Sequence, residues 1–212
     1  MLYLTALQEG LLYGLLALGV YISLRVLDIP DLTTEGSFGF GSALAAVLAA
    51  GGHTYLSLPI AFLGGMAAGL ITGLLQTKLQ VHPVLAGIIT MSGLYSVNLI
   101  VRGGPNLSIG AANLFKQFYK ALHLTGDQRK VAGALLALVI CLVVTLLLIV
   151  FFKTHVGLCI RATGDNQDMV RASSINVDAT LILGLCISNG LIGLAGALVT
   201  HYVGYSDTST SN

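Results

Sequence analysis

From Val131 to Phe152 the sequence reads VAGALLALVICLVVTLLLIVFF, without one charged side chain. A run of this length matches the ~20 residues an α-helix needs to cross a hydrocarbon core. It is one of six apolar segments, and that repetition constrains the chain more than any motif does. The others are Leu2–Leu24, Thr33–Ala50, Leu58–Thr77, Pro83–Val101 and Ala179–His201. Only 9% of the 212 residues are charged, against roughly 25% in soluble domains, and mean hydropathy is +0.88. Such a chain lacks the polar surface that a water-soluble fold requires. The expected fold is all-α, a polytopic helical membrane protein of about six membrane segments. Residues 1–205 are expected to form one transmembrane domain, with a polar tail at 206–212.

Several function classes are excluded at this level. A formal net charge of +1 leaves no clustered basic surface for nucleic acid. Cys141, Cys159 and Cys186 are scattered and read as small apolar fillers. His53, His82, His123, His155 and His201 are dispersed without metal-ligand spacing, so no metal or cofactor is expected. The chain has no GxxxxGK(S/T) loop, no G-x-S-x-G and no HExxH, so it is not expected to be an enzyme. The N-terminal LTALQEGLLYGLLALGVYISL lacks a basic n-region and a small-residue cleavage site, and reads as a retained span. Glu9 lies within it, placed near a boundary rather than deep.

The second segment is short and opens irregularly, with LDIPDLTTEGSFGFGSA. Pro30 disfavours a helical Ile29, and Gly36, Gly39 and Gly41 weaken the helix behind it. Irregular backbone at membrane depth is tolerated only where protein or a water-filled cavity surrounds it. The segment is therefore expected near the middle of the bundle. Two readings of Asp31 and Glu35 stand side by side. They face a cavity or a partner group inside the membrane, where a carboxylate costs about 2.5–3.5 kcal/mol, or they cap a helix start at the water boundary, with Asp31 as N-cap. Gly65, Gly69 and Gly73 in the third segment, with Gly184, Ser188, Gly193, Gly196 and Ala197 in the sixth, suit close helix packing. Ser188–Asn189 reads as packing too.

Two connections are polar. Residues 103–130 contain Leu114, Phe115, Phe118 and Leu122 among lysines, which predicts a short amphipathic interfacial helix bounded by Asn113 and Gly126. Residues 153–178 contain HVGLCIRATGDNQDMVRASSINVD. Asp165 is placed as the N-cap of a helix from Asn166 to about Ser173, with Met169 and Ala172 on one face, and Asn176 or Asp178 caps the next span. Either this is a solvated connector, or it is a docking element, being longer and more structured than a connection needs. Charge does not decide orientation. Arg25, Lys78, Lys153, Arg161 and Arg171 stand on one side, against Arg102, Lys116, Lys120, Arg129 and Lys130 on the other.

The run GLCIRATGDNQDMVRASSINV, followed by a span containing GLIGLAGAL, resembles the cytoplasmic coupling region of ABC-importer permeases of the branched-chain amino acid, ribose and tryptophan type. The family pattern there is G-x-x-x-R-A-x-G-x-N-x-x-x-A-x-x-x-G-I-x-V. Gly157, Arg161, Ala162, Gly164, Asn166, Ile175 and Val177 match it in register, Ala172 lies two residues past its second Ala, Asn176 falls on an open position, and Ser174 stands where the family usually has Gly. The second segment is similar to the family's central helix. The resemblance implies that Gly157, Arg161, Ala162, Gly164, Asp165, Asn166, Met169, Ala172 and Ile175 couple to an ATPase subunit. It also implies a translocation path along Asp31, Thr33, Thr34, Glu35, Ser37, Phe38, Gly39 and Gly41.

On that resemblance the chain is a permease subunit in a bacterial cytoplasmic (inner) membrane. Residues 153–178 are then cytoplasmic, and residues 103–130 and the N-terminus lie outside. Its implied partners are ABC ATPase subunits, an extracytoplasmic solute-binding protein, a second permease subunit (most simply a second copy) and the lipid bilayer. The implied cargo is a small polar solute, an amino acid, tryptophan-like in the closest subgroup. Family members continue beyond YVGYSDTS with further apolar sequence, so the resemblance implies a C-terminally shortened permease. SDTST echoes PDLTT, as two related halves would produce. The rival expectations are a stand-alone channel or scaffold, or a truncated permease that does not transport.

Overall fold

The computed structural model describes residues 2–104, 106–109, 113–121 and 127–207. Helix α1 (Leu2–Tyr21) runs into one π-helical turn, Ile22–Val26. It is followed by α2 (Thr34–Ala50), α3 (Thr54–Thr77), α4 (Pro83–Arg102), β1 (Asn106–Ser108) and α5 (Leu114–Ala121). The chain continues with α6 (Asp127–Lys153), α7 (His155–Asp165), α8 (Gln167–Ala172), α9 (Val177–Val203) and β2 (Tyr205–Asp207).

Among the described residues, five helices are long and apolar enough to cross a membrane: α1 with its π-turn, α3, α4, α6 and α9. Helix α2 has 17 residues and is the short member of the set, so the expected six segments resolve into five spans and a shorter central helix. The irregular entry expected at Pro30 is the non-helical run 27–33, and behind it α2 is continuous from Thr34 to Ala50 in spite of its glycines. Packing overrides propensity here, because the glycines are contact points. A Cβ at Gly41 would run into the backbone of Gly193, and one at Gly196 into the Phe38 carbonyl. Gly65 and Gly69 lie in the same way against the carbonyls of Asn189 and Leu185. These close approaches seat α2 and α3 on α9, as small residues do where no hydrophobic drive between helices exists.

Helix α9 is the axis of the bundle. Leu185, Asn189, Ile192, Leu198 and His201 are fully buried on it, and α1, α2 and α3 pack around it. By contrast α6 leans on α1 and turns Leu135, Leu147 and Val150 outward, each more than 60% exposed. Exposure of that kind suits a lipid-facing helix.

At one end of the bundle, β1 pairs antiparallel with β2, Asn106 opposite Asp207. The expected amphipathic helix is α5, with Asn113 Oδ1 accepting from the Phe115 N–H at 3.0 Å. Phe115 is buried edge-on to Tyr202, with ring centroids 6.1 Å apart. Burial also raises the pKa of the Tyr119 phenol on α5, against a smaller opposing effect of its hydrogen bond with Gln8. Leu122 and Gly126, which the sequence reading used for this connection, lie outside the described residues, as does His123. The other end of the bundle holds the π-turn, the α3–α4 connection, α7 and α8.

Candidate functional site

Two features separate this bundle from a plain packing of spans. The first is where α2 begins. Residues 27–33 run inward from the α7–α8 end without helical structure, and Asp28 takes φ +54° at the turn. A Cβ on Gly36 would sit 3.0 Å from Met91 Cα, and Met91 lies eight residues beyond Pro83, about 12 Å along α4. Ser37 reaches Asn189, which lies twelve residues beyond Val177, about 18 Å along α9. The positive end of the α2 dipole is therefore set well inside the span instead of at its rim.

A polar seam surrounds that helix start. The carboxylate of Asp31, 5% exposed, accepts from the Thr33 N–H at 2.8 Å and from Asn189 Nδ2 at 2.7 Å. Asn189 Nδ2 also donates to the Leu185 carbonyl at 3.1 Å, while its Oδ1 accepts from Ser37 Oγ at 2.6 Å. A carboxylate can only accept, so it fixes which way the amide faces. Thr72 Oγ1 donates to the Ala68 carbonyl, which makes Thr33 Oγ1 the donor in their 2.8 Å contact. Every one of these groups is buried, and each is satisfied by a neighbour, as burial of polar atoms demands.

The residues expected along one path divide between two surroundings. Asp31, Thr33, Ser37, Phe38, Gly39 and Gly41 are buried, with Phe38 stacked on Tyr13 at 6.3 Å. Thr34 and Glu35 are half-buried, and Glu35 lines a cavity between α2 and α4. Asp31 is not the α2 N-cap: Thr33 holds that position, without a side-chain cap bond. Asp31 instead bonds two residues ahead and then across to α9, because the backbone has not yet turned helical.

The second feature is α7 and α8. The stretch from His155 to Asp165, read from sequence as the approach to a short helix, is itself helical, and Thr154 Oγ1 caps it from the Gly157 N–H. Asp165 therefore ends α7 and does not cap α8. That cap is Asn166, whose Oδ1 accepts from the Met169 N–H at 3.0 Å. Asn166 wins because its extended backbone, φ −161°, breaks the helix between them. Helix α8 closes with paired bonds, Ser174 N–H to Arg171 O and Ile175 N–H to Val170 O, in the Schellman arrangement. That closure needs a left-handed residue, and Ser174 supplies it at φ +58°.

Between those caps α8 is a surface element on one apolar peg. Val170 is 3% exposed and packs in a cluster with Leu27, Ile29, Ile160 and Leu181, to which Ala162 and Ile175 add. Arg161, Asp165, Asn166, Met169 and Ala172 are exposed, Met169 by 66%. Gly157 is buried against Phe151 and Phe152, and half-buried Gly164 lies against the backbone of Val26 and Leu27, where no side chain fits. Asn176 Oδ1 caps α9 through the Ala179 N–H at 3.1 Å. A polar cleft of about 820 Å³ opens beside α8 between Asp28, Gln80 and Arg171.

Residues 2–211 match the family described as branched-chain amino acid transport system / permease component. The chain belongs to this permease family. It is 34% identical to a tyrosine transport system permease protein of Clostridioides difficile, over 97% of this chain and 66% of that protein. An uncharacterized protein of Rickettsia prowazekii is 34% identical over 96% of this chain and 69% of its own length. A fructose import permease protein of Bifidobacterium longum is 29% identical over 94% and 55%. The chain thus spans between about half and two thirds of the length of these relatives. No solved structure matches it.

Sequence reasoning missed Asn189, the hub of the permease's buried seam. An amide in the middle of an apolar span is the signal that could have found it, because such a group seeks partners inside the bundle. Ser188 was read as packing as well, yet its Oγ donates to the Gly19 carbonyl at 2.7 Å, at the approach to the π-turn. Asn98 on α4 was likewise passed over.

Proposed function

We propose that this chain is the membrane permease subunit of an ABC importer in a bacterial cytoplasmic membrane, with α7 and α8 on the cytoplasmic side. The observation that carries the reading is α8 itself: a helix capped at both ends, pegged by Val170 and presenting Met169 and Ala172 outward. An element built so firmly and left so bare suits docking, and its occupant is an ATPase subunit. ATP binding in a pair of such subunits moves α8. Val170 passes that movement to Leu27 and Ile29, and so to the run-in that ends at Asp31, Thr33 and the start of α2. The seam around Asn189 then ties the displacement to α9. Spans rock about this region as alternating access requires. A second permease subunit, most simply another copy, completes the path, and an extracytoplasmic solute-binding protein delivers the cargo. The cargo is an amino acid, the class in which the family description and the tyrosine permease agree.

The test is co-purification with the ATPase encoded alongside, plus substrate-stimulated ATP hydrolysis in proteoliposomes. Met169→Glu and Arg161→Glu are expected to lower both at least tenfold while the permease still elutes as a folded species. Unchanged association and stimulation in both variants would remove α8 as the docking element.

A further inference from the structure

Where Gly36 brings α2 against α4, a cavity of about 260 Å³ opens beside the contact. Glu35, Ser92, Tyr95 and Asn98 form its polar lining. Asn98 is 7% exposed, and its Oδ1 is buried without a hydrogen-bond partner among the described residues. Buried acceptors are nearly always paired, because leaving one unmet costs its desolvation. The Asn98 side chain lines the cavity, so a small rotation of its amide would bring the covered Oδ1 to a donor arriving from a ligand. Glu35, half-buried in the first turn of α2, adds a carboxylate to the same lining. An amide oxygen beside a carboxylate asks for a group with several N–H donors and a positive charge. Tyr95, 55% exposed, offers an aromatic face that suits a cation or an apolar side chain. The volume falls below the roughly 300–1,000 Å³ of pockets for drug-sized ligands, as a site for one small metabolite should.

We propose that this α2–α4 groove binds the primary ammonium group of the transported solute, with the Glu35 carboxylate and Asn98 Oδ1 as its ligands. The proposal rests on the permease reading above and gives its cargo a binding site: the ammonium group of an amino acid is held here, a group that the sugar in the name of one relative lacks. Glu35 supplies charge complementarity, and Asn98 aims it, because an oxygen held on α4 accepts only along its lone-pair directions.

The full chain, purified in nanodiscs, is titrated with three probes on one skeleton: L-phenylalanine, phenethylamine and 3-phenylpropanoate. Calorimetry or thermal shift is expected to show millimolar binding of the first two and none of the third. Glu35→Gln and Asn98→Leu each weaken phenethylamine binding at least tenfold, whereas Asn98→Asp, which keeps an acceptor, retains it. The probe comparison on the unaltered chain decides the matter even if a variant misfolds. Binding of 3-phenylpropanoate as tight as phenethylamine, no binding of any probe, or an amine affinity untouched by both substitutions overturns the proposal. No ATPase is present in this assay, so its failure is distinct from failure of the docking reading. A chain that co-purifies with the ATPase yet binds no amine loses only the ammonium site.

Discussion

Asn189 shows how much of this molecule hangs on single polar atoms. It donates to Asp31, accepts from Ser37 and is fully buried, so its removal leaves a carboxylate in the membrane interior with one donor fewer. Loss of a buried partner to a charge costs about 3 kcal/mol or more. Asn189→Leu is accordingly expected to lower the melting temperature of the purified permease well below that of Asn98→Leu, which removes no hydrogen bond among the described residues. Equal melting temperatures would show that the seam contributes nothing. Ser174 makes the opposite case. A left-handed serine stores about 1 kcal/mol that glycine would not, offset in part by the extra chain entropy glycine loses on folding. Ser174→Gly is expected to leave stability unchanged or raise it by up to about 1 kcal/mol, measured as resistance of α8 to limited proteolysis. The sequence resemblance flagged position 174 as a departure, and the backbone explains why the family prefers glycine there. Asp165 and Asn166 are both good capping residues, and nothing local in the sequence chooses between them. The choice depends on α7 extending to Asp165, which the tie between Thr163 and Thr180 at 2.9 Å helps to hold.

At the scale of elements, the apolar runs were legible because length and composition suffice for a span. Their ends agree with the helices to within a few residues for α2, α4 and α9. The depth at which α2 begins was not legible, since it follows from contacts with α4 and α9 that no local pattern encodes. Pro30 announced an irregular run-in, but only the contacts of Gly36 and Ser37 show that it leads inside. The same limit explains the glycines. Spacing marked Gly65 and Gly69 as packing residues, while their partner on α9 is a tertiary fact. Gly69→Leu is expected to prevent α3 from seating on α9, because the new side chain would meet the Leu185 carbonyl and the Cys186 backbone. The measurement is the yield of monodisperse protein, which should fall at least tenfold, whereas Gly10→Leu, with nothing within 4 Å of its Cβ position, should leave it intact. Helix α8 is predicted to fray on Asn166→Ala by about 1 kcal/mol, the ordinary worth of such a cap, read as faster amide exchange at Met169.

At the scale of the whole molecule, a bare, capped helix stands at one end of the bundle and the start of α2 is held inside the span. Val170, Leu27 and Ile29 pack in one cluster, and Asp31, two residues on, joins the seam at Asn189; under the proposed function this is the route by which a push on α8 would reach α2. Under the proposed function, the α8 end and the α5 end face different compartments and different partners. A photo-crosslinking amino acid at position 169 addresses this directly, with position 116 on α5, at the opposite end, as its counterpart. Irradiated cells are expected to yield an adduct between position 169 and the ATPase subunit, and no ATPase adduct from position 116. An ATPase adduct at 116 with none at 169, or capture of the solute-binding protein at 169, would contradict the account.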